Sequence, residues 1–243
     1  MQDFIDAFLV AFVAAFLLGS IPFGLIISKV FYKTDIREHG SGNIGTTNAI
    51  RTMGKVGGYS VFVLDFGKGL LSGFLGIWIG QMFFSLHGYG AIAGELTAIL
   101  APFRIGPVGD PTALVTQFSQ VMLATSFLGC TLGHIFSPWL KFKGGKGIAV
   151  AVGCIFVTYG VVGASLELAI FIVLVVVTRY VSVGSIAAAA AAPFFALYFF
   201  WGNWFAIALC TIAGLTVVWA HRENIKRLLA GTESRIGSKK EAS

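Results

Sequence analysis

The chain has 243 residues, 56% of them hydrophobic and only 12% charged, with a mean hydropathy of +0.85 and a formal net charge of +6. A soluble domain is about 45–50% apolar and about 25% charged. A water-soluble fold is therefore excluded, and an all-α polytopic membrane protein is expected. A charge near lipid is costly and tends to have a function, so the few charges present can be read one at a time.

The first apolar run spans residues 4–31. Asp3 and Asp6 stand where a cleavable signal needs Lys or Arg, and the run is too long for one. It is expected to stay as a transmembrane helix, kinked near Pro22 and Gly24. A crossing needs about 20 apolar residues, which predicts further spans at 57–83, 118–138, 148–163, 164–180, 184–201 and 203–220. The result is one compact bundle of about seven helices, a single domain over 1–243. Segment 85–101 is open to three readings: an extra short helix, a re-entrant piece or an external cover.

Charge placement orients the bundle. With the N-terminus outside, segments 29–56, 139–147, 179–183 and 221–243 face the cytoplasm and hold 15 of the 17 lysines and arginines. This obeys the positive-inside rule and makes the C-terminus cytoplasmic. Lys68 falls inside the second span and Arg104 outside. A full crossing by 85–101 would reverse the later loops, so none is expected. Gly69/Gly73, Gly76/Gly80 and Gly129/Gly133 are small-xxx-small pairs that predict close helix contacts. Residues 230–243 read as a flexible basic tail near anionic lipid. Cys130, Cys154 and Cys210 lie in apolar runs without paired spacing, so they read as core residues rather than ligands. No metal, cofactor or nucleic-acid partner is expected.

Three polar motifs interrupt this chain, all on the expected cytoplasmic face. Residues 141–147 read KFKGGKG, three lysines and three glycines in seven positions. Lysines alone would make an anchor loop; interleaved glycines let backbone N–H groups converge on an anion. It is no Walker A loop, because Ile148 stands where Ser or Thr would hold magnesium. Residues 40–51 read GSGNIGTTNAIR. A helix starting near Gly45 would put Thr47 and Arg51 on one face, with its N-terminus favouring an anion. Residues 221–228 read HRENIKRL, where His221 and Asn224 can address one site and Glu223 can pair with Arg227. Asp65 and Lys68 lie one turn apart within a span, as mutual neutralisers or as site residues. His134 in GHIFSPW reads as structural.

Together SGNIGTTN with Arg51, GHIFSPWLKFKGGKG and HRENIKRL resemble the bacterial acyl-phosphate:glycerol-3-phosphate acyltransferases, the PlsY type. The likeness covers roughly residues 10–235. It departs at Thr46, where the family has alanine, and in a longer segment 84–117. The HX4D motif of soluble acyltransferases is absent. The resemblance implies acyl transfer from acyl phosphate to the 1-hydroxyl of sn-glycerol 3-phosphate, giving lysophosphatidic acid and phosphate. It implies that Ser41, His221 and Asn224 surround the reacting centre, and that Arg51, Lys146 and Asn43 hold glycerol phosphate. Gly40, Thr47, Asn48, Gly144, Gly145 and Gly147 would lie around the acyl phosphate. The expected setting is the bacterial inner membrane, active site toward the cytoplasm, with a soluble enzyme that makes acyl phosphate as a candidate partner.

Acyl phosphate is already activated, so direct attack by the glycerol hydroxyl is expected, with a covalent acyl-Ser41 as the rival route. His221 is either base or phosphate ligand. The alternative from another class is a transporter of a phosphorylated metabolite. It would need polar groups near the midplane, whereas these concentrate at one face.

Overall fold

The structure is a computed structural model and describes residues 2–87 and 111–237. Its described regular structure is entirely helical. The helices are α1 (Gln2–Ser20), α2 (Phe23–Phe31), α3 (Thr46–His87), α4 (Pro111–Ile135), α5 (Ile148–Thr158), α6 (Gly160–Thr178), α7 (Val181–Phe199), α8 (Trp204–Ala220) and α9 (Arg222–Leu229). Two short 3₁₀ turns, Ile36–Glu38 and Pro138–Leu140, sit in the polar loops. Residues 88–110 lie outside the described part, and with them most of segment 85–101.

Five helical stretches among the described residues are long and apolar enough to cross a bilayer, or six if the bent pair α8–α9 counts as one. The expected fourth span, 148–163, is shorter than its expected bounds. Its helix ends at Thr158, because Gly160 turns the chain at φ 69° and starts α6 at once. At 11 residues α5 is only about 16 Å long, about half the thickness of a bilayer core of about 30 Å.

Helix α4 is the hub, buried over most of its length against α1, α3, α5 and α8. Contact at backbone distance is what the small residues permit. A Cβ on Gly129 or Gly133 would strike α1, one on Gly76 would strike α4, and one on Gly69 would strike α5. The core they close around includes Ala7, Ala11, Phe118, Val121, Phe127 and Cys130. Phe84 packs edge-on against Phe118 at 4.7 Å. At the far end Asp3 faces His87 across 3.7 Å, setting the start of α1 beside the end of α3.

At the other end the α1–α2 break would expose carbonyls that lipid cannot satisfy. Neighbours satisfy them. Lys68 Nζ donates to the Ile21 carbonyl at 2.7 Å, and Ser137 Oγ to the Ser20 carbonyl at 2.7 Å. Trp139 Nε1 donates to Ser20 Oγ at 2.9 Å. Lys68 also pairs with Asp65 at 2.8 Å and meets His134 Nδ1 at 3.0 Å, all three buried. Asp65 and Lys68 thus neutralise each other, and His134 is structural, tying α3 to α4 beneath the KFKGGKG loop.

Candidate active site

The polar motifs meet at this end of the bundle. The first is a loop organised by Asn48, which is buried at the start of α3. Its amide Nδ2 donates to the carbonyls of Ile36, His39 and Asn43 at 3.1, 3.0 and 2.8 Å. Its Oδ1 accepts the Ser41 N–H at 2.8 Å. Asn43 Oδ1 accepts the Gly45 N–H at 2.9 Å. Both asparagines, expected as substrate ligands, are therefore engaged in shaping the loop. Helix α3 starts at Thr46, so Thr47 and Arg51 share a face as expected. Gly40 and Arg51 border one cleft with Tyr32, Thr34 and His39. Ser41 is exposed on this loop, and its hydroxyl has no hydrogen bond among the described residues.

The second motif folds back along the end of α4. Gly144 N–H donates to the Ile135 carbonyl at 2.9 Å, and Gly145 N–H to the His134 carbonyl at 3.1 Å. Gly147, at φ 84°, opens α5 with no side-chain cap. The first-turn N–H groups of α5 therefore remain available to an anion. Side chains at 144 and 145 have no room: a Cβ would overlap the His134 carbonyl or the His134 ring. That ring is held by Lys68 and cannot swing away. Gly145→Ala is expected to destabilise the fold by about 1–3 kcal/mol, the cost of overpacking, read as a lowered midpoint of thermal unfolding in detergent.

The third motif turns through about 50° from α8 into α9. His221 and Asn224 are buried one turn apart. His221 Nδ1 stands 2.8 Å from the Val217 carbonyl. A carbonyl only accepts, so Nδ1 carries the hydrogen and Nε2 presents a lone pair. Burial pushes His221 down to about 4; the Val217 bond opposes this, and the Lys146 charge adds to it. The imidazole is thus neutral at physiological pH.

Lys146 joins this cluster. Burial pushes its ammonium down to about 8, Arg227 and then Arg51 acting the same way while Glu233 opposes them. The structure therefore brings Lys146 within electrostatic reach of Arg51, Arg227, Glu233 and His221, and Asn224 bonds to the same Glu233.

Two features went unseen in the sequence. Arg227 pairs with Glu233 at 2.7 Å, not with Glu223, which pairs with Lys226 at 3.0 Å. The expected flexible tail instead folds back through Gly237. Glu233 also accepts from Asn224 at 2.8 Å, and Ile236 N–H donates to the Arg179 carbonyl at 2.8 Å. An acid inside a basic tail was the available signal. The second feature is a narrow, partly open apolar cavity of about 30 Å³ between α4, α5, α6, α7 and α8. Ile148 and Val217 line it, next to Gly147 and one turn from His221, and deeper down so do Ile155, Ala188 and Glu167. Glu167 is buried, with one carboxyl oxygen unbonded.

The arrangement is a cluster of cations with neutral acceptor groups, next to an apolar slot. The family model for glycerol-3-phosphate acyltransferase matches residues 9–109 and 109–231. A glycerol-3-phosphate acyltransferase of Thermosynechococcus vestitus is 37% identical over 224 residues, 92% of each chain. One from Rhodopseudomonas palustris is 36% identical over 236 residues, 97% of this chain and 99% of its own. The fold is similar to the crystal structure of PlsY (YgiH), an integral membrane glycerol 3-phosphate acyltransferase, in its glycerol 3-phosphate form. The TM-score is 0.71 at 32% identity, over 95% of this chain and 96% of that one. The lysophosphatidic acid form of the same protein matches with a TM-score of 0.68.

Proposed function

This chain belongs to the glycerol-3-phosphate acyltransferase family, and on that premise we propose that it transfers a fatty acyl group from acyl phosphate to the 1-hydroxyl of sn-glycerol 3-phosphate. The products are lysophosphatidic acid and phosphate. The observation that carries this reading is the junction of the cationic cluster with the apolar slot, where Lys146 and Ile148 flank Gly147. One site thereby offers charge to phosphate and apolar wall to an acyl chain. It faces the cytoplasm of a bacterial inner membrane, on the side where the basic loops gather.

In this mechanism Lys146, Arg51 and Arg227 hold the glycerol phosphate. The first turn of α5 and the glycines before it cradle the donor phosphate. The hydroxyl oxygen bonds to the acyl carbon, the bond from that carbon to the phosphate oxygen breaks, and the hydroxyl proton passes to His221 Nε2. A base near 4 is weak, but two phosphates beside it raise it toward the operating pH. Orientation of two bound substrates supplies ~7–11 kcal/mol. Direct attack is preferred over acyl-Ser41, because the leaving group is already good and the Ser41 hydroxyl has no hydrogen-bonded base among the described residues.

The test mixes detergent-purified protein with palmitoyl phosphate and glycerol 3-phosphate, without coenzyme A or carrier protein. Equal release of phosphate and lysophosphatidic acid is expected. No product from monodisperse protein would overturn the reading, and uptake of labelled glycerol phosphate into proteoliposomes would then favour transport. The slot makes a separate demand. Ala188→Phe fills it, and should lower kcat/KM for palmitoyl phosphate roughly tenfold more than for octanoyl phosphate, about 1.4 kcal/mol of selectivity. An equal loss for both donors would place the chain elsewhere.

A further inference from the structure

Glu233 reaches the cluster from a segment that the motifs do not include. Its two carboxylate oxygens are divided between two side chains of α9. Asn224 Nδ2 donates to Oε1 at 2.8 Å, and Arg227 Nε donates to Oε2 at 2.7 Å. The segment around it is latched on both sides. Thr232 N–H donates to the Arg227 carbonyl at 2.9 Å, and Ile236 N–H to the Arg179 carbonyl at 2.8 Å. The Arg235 guanidinium lies 5.0 Å over the Tyr180 ring. Glu233 is therefore held in place by backbone on either side, not by its own ion pair alone.

The consequence falls on Asn224. An amide has a donor end and an acceptor end, and either can face a neighbour. An ionised carboxylate only accepts, so Glu233 admits only the donor end. Burial opposes that ionisation, but the bonds from Asn224 and Arg227 and the nearby buried Ser182 outweigh it and hold the carboxyl below its usual range. The acceptor end, Asn224 Oδ1, is left on the other side. It is buried and has no hydrogen-bond partner among the described residues. A buried oxygen of this kind calls for a donor. His221 Nε2, one turn away, is the second acceptor at this spot.

We propose that Glu233 is a positioning residue: it locks the Asn224 amide so that Oδ1 and the lone pair of His221 Nε2 together accept the two hydroxyls of glycerol 3-phosphate. This rests on the reading of glycerol phosphate as the acceptor substrate. The opposite amide orientation would aim a donor at the hydroxyl oxygen and occupy the electron pair that attacks the acyl carbon. The second acceptor also explains a polyol phosphate in place of a simple alcohol phosphate: each hydroxyl has its own partner.

The test is binding, and needs no acyl donor. Calorimetry on the purified protein compares glycerol 3-phosphate with 3-hydroxypropyl phosphate, which lacks one hydroxyl. Wild type is expected to favour glycerol phosphate by at least roughly tenfold, because a buried acceptor left unpaired is costly. Glu233→Gln keeps the shape but tolerates either amide orientation, and should compress that ratio to within about threefold. The double variant Asn224→Asp/Glu233→Gln reverses donor and acceptor across the contact yet keeps an oxygen facing the substrate. It should restore the preference. A merely structural role would weaken both ligands alike. An unchanged ratio in Glu233→Gln, or no restoration in a folded double variant, overturns the assignment. Wild type that binds glycerol phosphate with the expected preference but forms no lysophosphatidic acid would sink the donor reading and leave this one standing. Failure of wild type to bind glycerol phosphate would sink both.

Discussion

Lys146→Met should lower kcat/KM for glycerol 3-phosphate by about 10²–10³, with the larger part in KM. Removing one member of a buried, charge-assisted contact costs about 2–5 kcal/mol. Lys146 feels the charges of Arg227 and Arg51, with Glu233 offsetting them, so it is held among cations in want of an anion. A substrate phosphate relieves this repulsion, which a solvent-exposed anchor lysine would not require. The same crowding sets a pH signature. The ammonium is pushed down to about 8, and only the protonated form attracts phosphate. Affinity is therefore full below pH 8 and falls as pH rises through it. Arg227→Met removes a repelling charge and should move that limb upward. The profile of kcat/KM between pH 6 and 10 reads both effects. An unchanged KM in Lys146→Met would end the phosphate role of the loop.

How much of this was readable in advance divides along physical lines. Apolar length and the side preference of lysine and arginine are properties of single segments, so the helices and their polar face were legible. The small-xxx-small pairs also named the tight contacts, because a glycine at a helix crossing has few other uses. The three motifs carried Arg51, Lys146, His221 and Asn224, which the fold brings together. What could not be read was the partner of each polar group. Asn48 and Asn43 belong to a polar loop whether they bind substrate or the loop itself, and only the backbone path of residues 36–45 shows the second use. Arg227 had Glu223 four residues before it, yet the chain reverses and brings Glu233 instead. The end of α5 was missed because Tyr159 and Gly160 sit inside an unbroken apolar run; a left-handed turn there leaves no mark in hydropathy.

The same logic, applied to the membrane interior, singles out Lys68. Lys68→Met should be the most destabilising single change outside the site. It strips Asp65 of a partner at 2.8 Å while both positions are almost fully buried, and an orphaned buried charge costs about 3–5 kcal/mol. It also frees the Ile21 carbonyl at the break between α1 and α2 and the Nδ1 of His134. Thermal unfolding in detergent should fall by about 10 °C. Activity should fall with it, because Gly144 and Gly145 rest on the backbone of His134 and Ile135. Asp65→Asn in the same chain removes the stranded charge and should recover part of the stability. A coupling of more than about 2 kcal/mol is expected in the double-mutant cycle. If the two substitutions simply add, the pair is not a unit, and the break in α1 is held by Ser137 and Trp139 without it. If they couple, the network fixes the height at which KFKGGKG leaves α4, and through it the distance from Lys146 to His221.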